Sequence, residues 1–223
     1  MTQIIRIDPH QPGSQWLSPA LEILQAGGVV AYPTETFYGL GVDAFNKVAI
    51  KKIFSIKERS FSQPFLILIP DRSYLPLCTA EVSRNARRLM EHFWPGPLTM
   101  VFSVSPNLPS VLTAGTKKIA VRISSHPIAR ALTSTFAGPL TSTSANISGG
   151  QSPASAEEVF SQLDGMIDLI IDGGKTPGQL PSTIVDVTFS LPRIVRAGVV
   201  PFNEILTLLE SPPPPQAAGD KKI

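Results

Sequence analysis

The side chains of this sequence that could do chemistry are mostly basic or hydroxyl-bearing, and they recur where apolar runs end. Lys57 and Arg59 sit two apart where a helical pattern gives way to a loop. Cations in a helix's last turn are stabilised by its dipole, and the same pair can also turn toward one anion. Thr141-Ser142-Thr143-Ser144-Ala145-Asn146 crowds hydroxyl and amide groups behind a strand, which suits a hydrogen-bonded turn as well as it suits a ligand. Thr34, Glu35, Thr36 and Tyr38 follow the apolar run Gly28–Ala31 and close on Gly39 and Gly41. Polar groups at the end of a buried strand, with glycines permitting close backbone approach, make either a binding loop or a plain turn around a buried tyrosine. Arg122 lies near the carboxyl end of Ile119–Ile123, where alternation sets it opposite Val121 and Ile123, on a face that suits either solvent or a ligand. Ser182, Thr183 and Arg196 repeat the theme. Several such groups at strand ends suit a ligand that carries a polyphosphate.

Other site types are absent from the sequence. It has no Walker-type glycine-lysine loop, no Gly-x-Gly-x-x-Gly opening a helix and no Gly-x-Ser-x-Gly elbow. His10 and His92 have no partners at metal-ligand spacing, and His126, before Pro127, reads as a helix cap, so no metal held by the protein is expected. Cys78 is the only cysteine, which rules out an internal disulfide and fits a reducing compartment.

The elements that must position these groups alternate. Ile4–Ile7 reads as a strand, Ser18-Pro19 as a helix start, and Val29–Tyr32 as a strand halted by Pro33. Asn46 caps a helix to Ile56 with Val48, Ile53 and Ile56 inward, and Leu66–Ile69 is a wholly apolar, central strand. Val82, Ala86, Leu89 and Phe93 recur at helical spacing, which leaves Arg84, Arg87 and Arg88 on a solvated face rather than a nucleic-acid patch. Strands follow at Leu98–Val104, Ile119–Ile123, from Leu140, at Leu169–Asp172, Thr183–Asp186 and Arg193–Arg196, with helices after His126, after Ser155 (a capping box with Glu158) and around Ile205. This alternation predicts an α/β domain over residues 1–210 with a twisted, open, mixed sheet and flanking helices. Residues 211–223 read as a proline-rich, disordered tail. With 43% hydrophobic and 16% charged residues among 223, the composition is globular, and the formal charge of +2 neither demands nor excludes a nucleic-acid partner. No apolar run reaches a membrane span and no signal-peptide pattern opens the chain, so a cytoplasmic protein without membrane partners is expected.

Six stretches, in order, resemble the YrdC-type L-threonylcarbamoyl-AMP synthases: Pro33–Gly41, Lys57-Glu58-Arg59, Trp94–Thr99, Ala120-Val121-Arg122, Ser142–Gly149 and Pro181–Asp186. The resemblance implies a YrdC-like fold in single-domain form with a basic concave face. It also implies the reaction of ATP, L-threonine and bicarbonate or CO2 to threonylcarbamoyl-AMP and pyrophosphate, with Mg2+ accompanying ATP. The product would serve the threonylcarbamoyl modification of adenosine 37 in tRNA through a downstream transferase complex. The family's Lys-x-Arg and Ser-x-Asn signatures fall on Lys57, Arg59, Ser144 and Asn146, which the resemblance assigns to ATP together with Arg196, and the first two to catalysis. Thr34, Arg122 and Ser182 fall on the threonine-binding positions. Three positions depart from the family: Ser60 replaces a usual proline, Ala197 interrupts Arg-Pro-Gly, and Leu68 stands near the place where some members carry a threonine-contacting histidine. Two other readings remain: a hydrogenase-maturation carbamoyltransferase domain, disfavoured by the lone cysteine, and a module that binds tRNA or double-stranded RNA without chemistry.

Overall fold

The computed structural model describes residues 1–58 and 65–211. Its strands are β1 (Gln3–Arg6), β2 (Val30–Tyr32), β3 (Gly39–Gly41), β4 (Leu66–Leu68), β5 (Leu98–Ser103), β6 (Lys118–Arg122), β7 (Leu140–Thr141), β8 (Thr143–Ser144), β9 (Leu169–Asp172), β10 (Thr183–Asp186) and β11 (Arg193–Arg196). The helices are α1 (Ser14–Gln25), α2 (Lys47–Ile56), α3 (Leu75–Cys78), α4 (Arg84–Phe93), α5 (Ser110–Thr113), α6 (Pro127–Phe136), α7 (Ala156–Leu163) and α8 (Phe202–Glu210).

The α/β alternation expected from the sequence is present, but the strands fall into two mixed sheets. One runs β1-β9-β2-β3-β8 and the other β11-β10-β5-β6-β4-β7. They meet along residues 140–144. β7 pairs with β4 in the second sheet, β8 pairs with β3 in the first, and the Ser142 N–H between them donates to Leu66 O at 2.8 Å. Thr141 N–H reaches across to Val42 O at 2.9 Å. The two glycines of β3 make this seam possible. A Cβ on Gly41 would come within 2.5 Å of the Tyr32 ring, and one on Gly39 within 2.9 Å of Ser142 Oγ.

The central strands of the five-stranded sheet are buried on both faces, with Ala31 and Ile170 on one and Val30, Tyr32, Leu169 and Ile171 on the other, whereas the six-stranded sheet buries one face. In the six-stranded sheet Ile67, Met100, Val121 and Val185 are fully buried, whereas Leu66, Val101, Ala120 and Ile184 on the other face are only half-buried and open to a cleft. A second apolar cluster packs Leu17, Leu24, Ile128 and Leu132 of α1 and α6 against Val30, Tyr32 and Leu169.

Local signals mostly act as the sequence implies. Asn46 Oδ1 accepts from the N–H groups of Val48 and Ala49, and His126 Nδ1 accepts from Ile128 N–H. Ser155 Oγ accepts from Glu158 N–H, while the Glu158 carboxylate returns to Ala154 N–H instead of the cap residue's own. Three expectations fail. α1 begins at Ser14, so Pro19 lies inside it; the Gln15 carbonyl that a proline cannot serve takes the Ser18 hydroxyl instead, at 3.3 Å. Val48 is exposed, and Ile50 and Phe54 fill the inward face of α2 with Ile53. Arg84 and Arg87 are solvated, but Arg88 reaches the carbonyls of Leu208, Leu209 and Ser211 and so closes the end of α8. Of the expected tail, only Ser211 is among the described residues.

The seam also rests on Tyr32, whose buried hydroxyl donates to Thr141 O at 2.9 Å. Burial pushes this phenol up to about 12, so it remains a donor at neutral pH. Tyr32→Phe strands that buried carbonyl and is expected to lower stability by about 1–3 kcal/mol in urea unfolding. An unchanged midpoint would show that the seam does not depend on it.

Candidate active site

Where the two sheets meet, a cleft of about 540 Å³ opens. Thr34, Lys57, Arg122, Ser144, Asn146, Ser182 and Arg196 all line it. These are the residues singled out from the sequence, apart from Arg59, which lies outside the described residues, as does Ser60.

One wall is the loop that continues the seam. Lys57, at the C-cap of α2, is 3% exposed, and its ammonium donates to Ser144 O at 2.6 Å, Asn146 O at 2.8 Å and Asn146 Oδ1 at 3.0 Å. It therefore serves the 144–146 loop, not the end of its own helix. Three acceptors match the three N–H donors of an ammonium. Ser144 Oγ donates to Asn146 Oδ1 at 2.6 Å, Asn146 Nδ2 donates to Gly150 O at 2.6 Å, and Ser148 N–H returns to Lys57 O at 3.2 Å.

The loop after β2 forms a second wall. The direction of its hydrogen bonds follows from Thr34, whose single hydroxyl proton goes to Phe37 O at 2.7 Å. Thr36 must then donate to Thr34 (3.0 Å) while its own oxygen faces Arg122 Nη1 at 3.5 Å. Tyr38 is pinned behind the loop, donating to Gly174 O and accepting from Gly173 N–H; burial raises its phenol strongly.

Alternation alone allowed Arg122 to face solvent, whereas the resemblance set it at a binding position; it is 2% exposed. Alternation does set it opposite Val121, but that face of β6 forms the cleft floor. Its Nε is buried without a hydrogen-bond partner, as is Glu35 Oε1, which lies 3.6 Å from Arg122 Nη1. Leu68 is the register neighbour of Arg122, fully buried in the second apolar cluster, so no polar group stands there.

The far wall is Ser182 with Arg196. Arg196 Nε and Nη2 donate to Ser182 O, and Nη2 also meets Ser182 Oγ at 3.1 Å. Burial, and then the charge of Arg122, lowers the Arg196 guanidinium from its usual value. Two arginines that repel each other across one cleft leave it short of negative charge, which is the condition for holding an anion. Thr99, for which sequence reasoning proposed no role, orients Ser182 through a buried contact at 2.9 Å between their hydroxyls. Thr36 and Ser142, named within the hydroxyl-rich runs but given no role, also line the cleft, as do Ser148 and Ser152. Ser148 belongs to the same stretch as Ser144, whereas Ser152 lies beyond it.

Among the described residues, no group of three or more His, Cys, Asp or Glu is arranged to hold a metal ion, and no helix is long and apolar enough to cross a membrane. The donors facing the cleft are hydroxyls, amides and cations, a set matched to phosphate and carboxylate oxygens.

The family profile Sua5/yciO/yrdC, described as "Telomere recombination", matches residues 22–198. The chain belongs to this family. Its similarity to other Sua5/YciO/YrdC members extends over most of its length. It is 41% identical over 206 residues to the threonylcarbamoyl-AMP synthase of Pyrococcus abyssi and 39% identical over 190 residues to that of Bacillus subtilis, covering 92% and 85% of this chain. It spans 60% and 55% of the length of those relatives. The solved structure of P. abyssi Sua5 complexed with L-threonine superposes with a TM-score of 0.88 at 37% identity, over 94% of this chain and 61% of that one.

Gly198, which follows the departure at Ala197, packs on the backbone of the far wall. A Cβ there would collide with Pro181 O and come within 2.6 Å of Ser182 C and Thr183 N. Gly198→Ala must therefore push Ser182 out of place, and is expected to cost about 1–3 kcal/mol of stability, as overpacking does. Unfolding midpoints and ligand affinity should fall together; a variant unchanged in both would contradict this packing.

Proposed function

We propose that this chain is an L-threonylcarbamoyladenylate synthase, a nucleotidyltransferase that makes threonylcarbamoyl-AMP and pyrophosphate from ATP, L-threonine and bicarbonate or CO2. The observation that carries the reading is the convergence of Lys57, Ser144, Asn146 and Arg196 with Thr34, Arg122 and Ser182 in a single cleft. Relatives that carry the synthase name, and the L-threonine complex of P. abyssi Sua5, support the choice of substrates.

In this reading Arg122 takes the amino acid's carboxylate, while Thr34 and Ser182 offer hydroxyls to its polar groups. Ser144, Asn146 and Arg196 hold the nucleotide, and Arg59 adds charge from the segment after α2. The threonine amine adds to CO2 to give a carbamate (from bicarbonate, with loss of water). A carbamate oxygen then forms a bond to the α-phosphorus as the bond to the bridging oxygen breaks and pyrophosphate leaves. No group of the protein needs to carry a proton far. The task is to hold one anion beside another that repels it, and to stabilise charge building on the leaving group. Lys57 acts through its charge and by fixing the loop that bears Ser144 and Asn146, since its three donors already have protein acceptors. Mg2+ arrives with the phosphates of ATP. The product passes to a cytoplasmic transferase complex acting on tRNA.

The test is incubation with ATP, L-threonine and bicarbonate, measuring pyrophosphate and, by mass spectrometry, the adenylate. Threonine- and bicarbonate-dependent pyrophosphate release is expected, falling about 100-fold or more in Lys57→Ala, in line with loss of one transition-state electrostatic contact. No release, together with salt-sensitive RNA binding, would overturn the synthase in favour of a binding module.

A further inference from the structure

Glu35 stands between Thr34 and Thr36, yet its side chain does not line the cleft. The carboxylate turns back beneath the loop. Oε2 accepts from Ser124 Oγ, and Oε1 lies 3.6 Å from Arg122 Nη1. Ser124 is two residues past Arg122, beyond the end of β6, and its oxygen also accepts from His126 N–H at 3.2 Å, just before α6. One side chain thus ties the loop after β2, in the five-stranded sheet, to the end of β6, in the six-stranded sheet.

The other ion pairs among the described residues do not cross between the sheets. Arg6–Asp172 joins β1 to β9, and Lys118–Asp186 joins β6 to β10. Thr34 and Arg122 belong to different sheets, so the distance between them depends on how the loop docks. Glu35 is the charged contact at that docking point. Arg122 also needs it, because a guanidinium 2% exposed, with Arg196 near enough to feel its charge, is costly to bury without a counter-charge. The pairing is loose. Only Nη1 faces the carboxylate, and Nε has no partner, so Glu35 restrains the guanidinium while leaving most of its donors uncommitted.

We infer that Glu35 is a positioning residue that sets Arg122 against Thr34 and so determines affinity for the α-amino-acid substrate, without contacting nucleotide. This rests on the proposed synthase reading for the identity of the amino acid, but not for the Glu35–Arg122 coupling itself.

The test compares Glu35→Gln, which keeps size and the Ser124 contact but loses the charge, with Glu35→Asp, which keeps the charge on a shorter reach, and Ser124→Ala. Expected for Glu35→Gln is a rise of about tenfold or more in the KM and calorimetric Kd for L-threonine, with the KM for ATP within about twofold of wild type, as when one partner of a buried pair is removed. Glu35→Asp should recover part of the loss, and Ser124→Ala should show a smaller shift in the same direction. Unchanged threonine affinity, or equal losses for threonine and ATP, would overturn the inference in favour of a purely structural role. A readout that needs no activity separates this from the synthase reading: the 15N signal of Arg122 Nε–H should shift and exchange faster in Glu35→Gln. That shift in a protein that releases no pyrophosphate would remove the synthase and keep the coupling; an unmoved signal would remove the coupling.

Discussion

A buried ammonium gathers the molecule's functional loop. Lys57 puts its three N–H donors on two backbone carbonyls and one side-chain amide oxygen of residues 144–146, nearly ninety positions further along the chain. Burying a charge is unfavourable unless every donor is met, and here each of the three has an acceptor on the loop. The interaction is therefore strongly directional. It fixes the loop's geometry relative to α2 and, because the loop grows out of the 140–144 run that gives one strand to each sheet, relative to the seam as well. Ser144 and Asn146 are held by this network, and their remaining polar capacity is turned to the cleft.

The rest of the site follows from an imbalance of charge. Lys57, Arg122 and Arg196 all line the cleft, whereas Glu35, the carboxylate paired with Arg122, does not. Lys57 is satisfied by protein oxygens; the arginines are not. Arg122 keeps an unpartnered Nε, and Arg196 spends its donors on one serine. Around them stand hydroxyls that can both donate and accept, above an aliphatic floor of Leu66, Val101, Ala120 and Ile184. A pair of anions with a modest apolar portion is the kind of cargo such a cleft can take.

Much of this was legible in the sequence because it depends on short-range signals. Caps at Asn46, Ser155 and His126 need only a few residues, and each is realised. Six of the seven described candidate residues lie in the motif runs, and the cleft brings them together with Arg196. What escaped the sequence depends on long-range geometry. β7 and β8 are two residues each, too short to show a period, so the split into two sheets around Ser142 left no trace in the pattern. Alternation gave the correct face for Arg122 but could not tell that this face borders a cleft instead of solvent. Pro19 looked like a helix start because the Ser18 hydroxyl that rescues the Gln15 carbonyl is a side-chain detail. The pairings of Thr99 with Ser182, and of Glu35 with Ser124 and Arg122, join residues more than eighty positions apart.

The central claim is that a triphosphate and a small amino acid occupy adjoining parts of one cleft at the junction of two sheets. The most direct measurement is a crystal structure with L-threonine and a non-hydrolysable ATP analogue bound together. The account predicts the threonine carboxylate on Arg122, between Thr34 and Ser182, with the phosphates against Ser144, Asn146 and Arg196. Either ligand bound outside this cleft, or the carboxylate and phosphates exchanged between the two arginines, would contradict it.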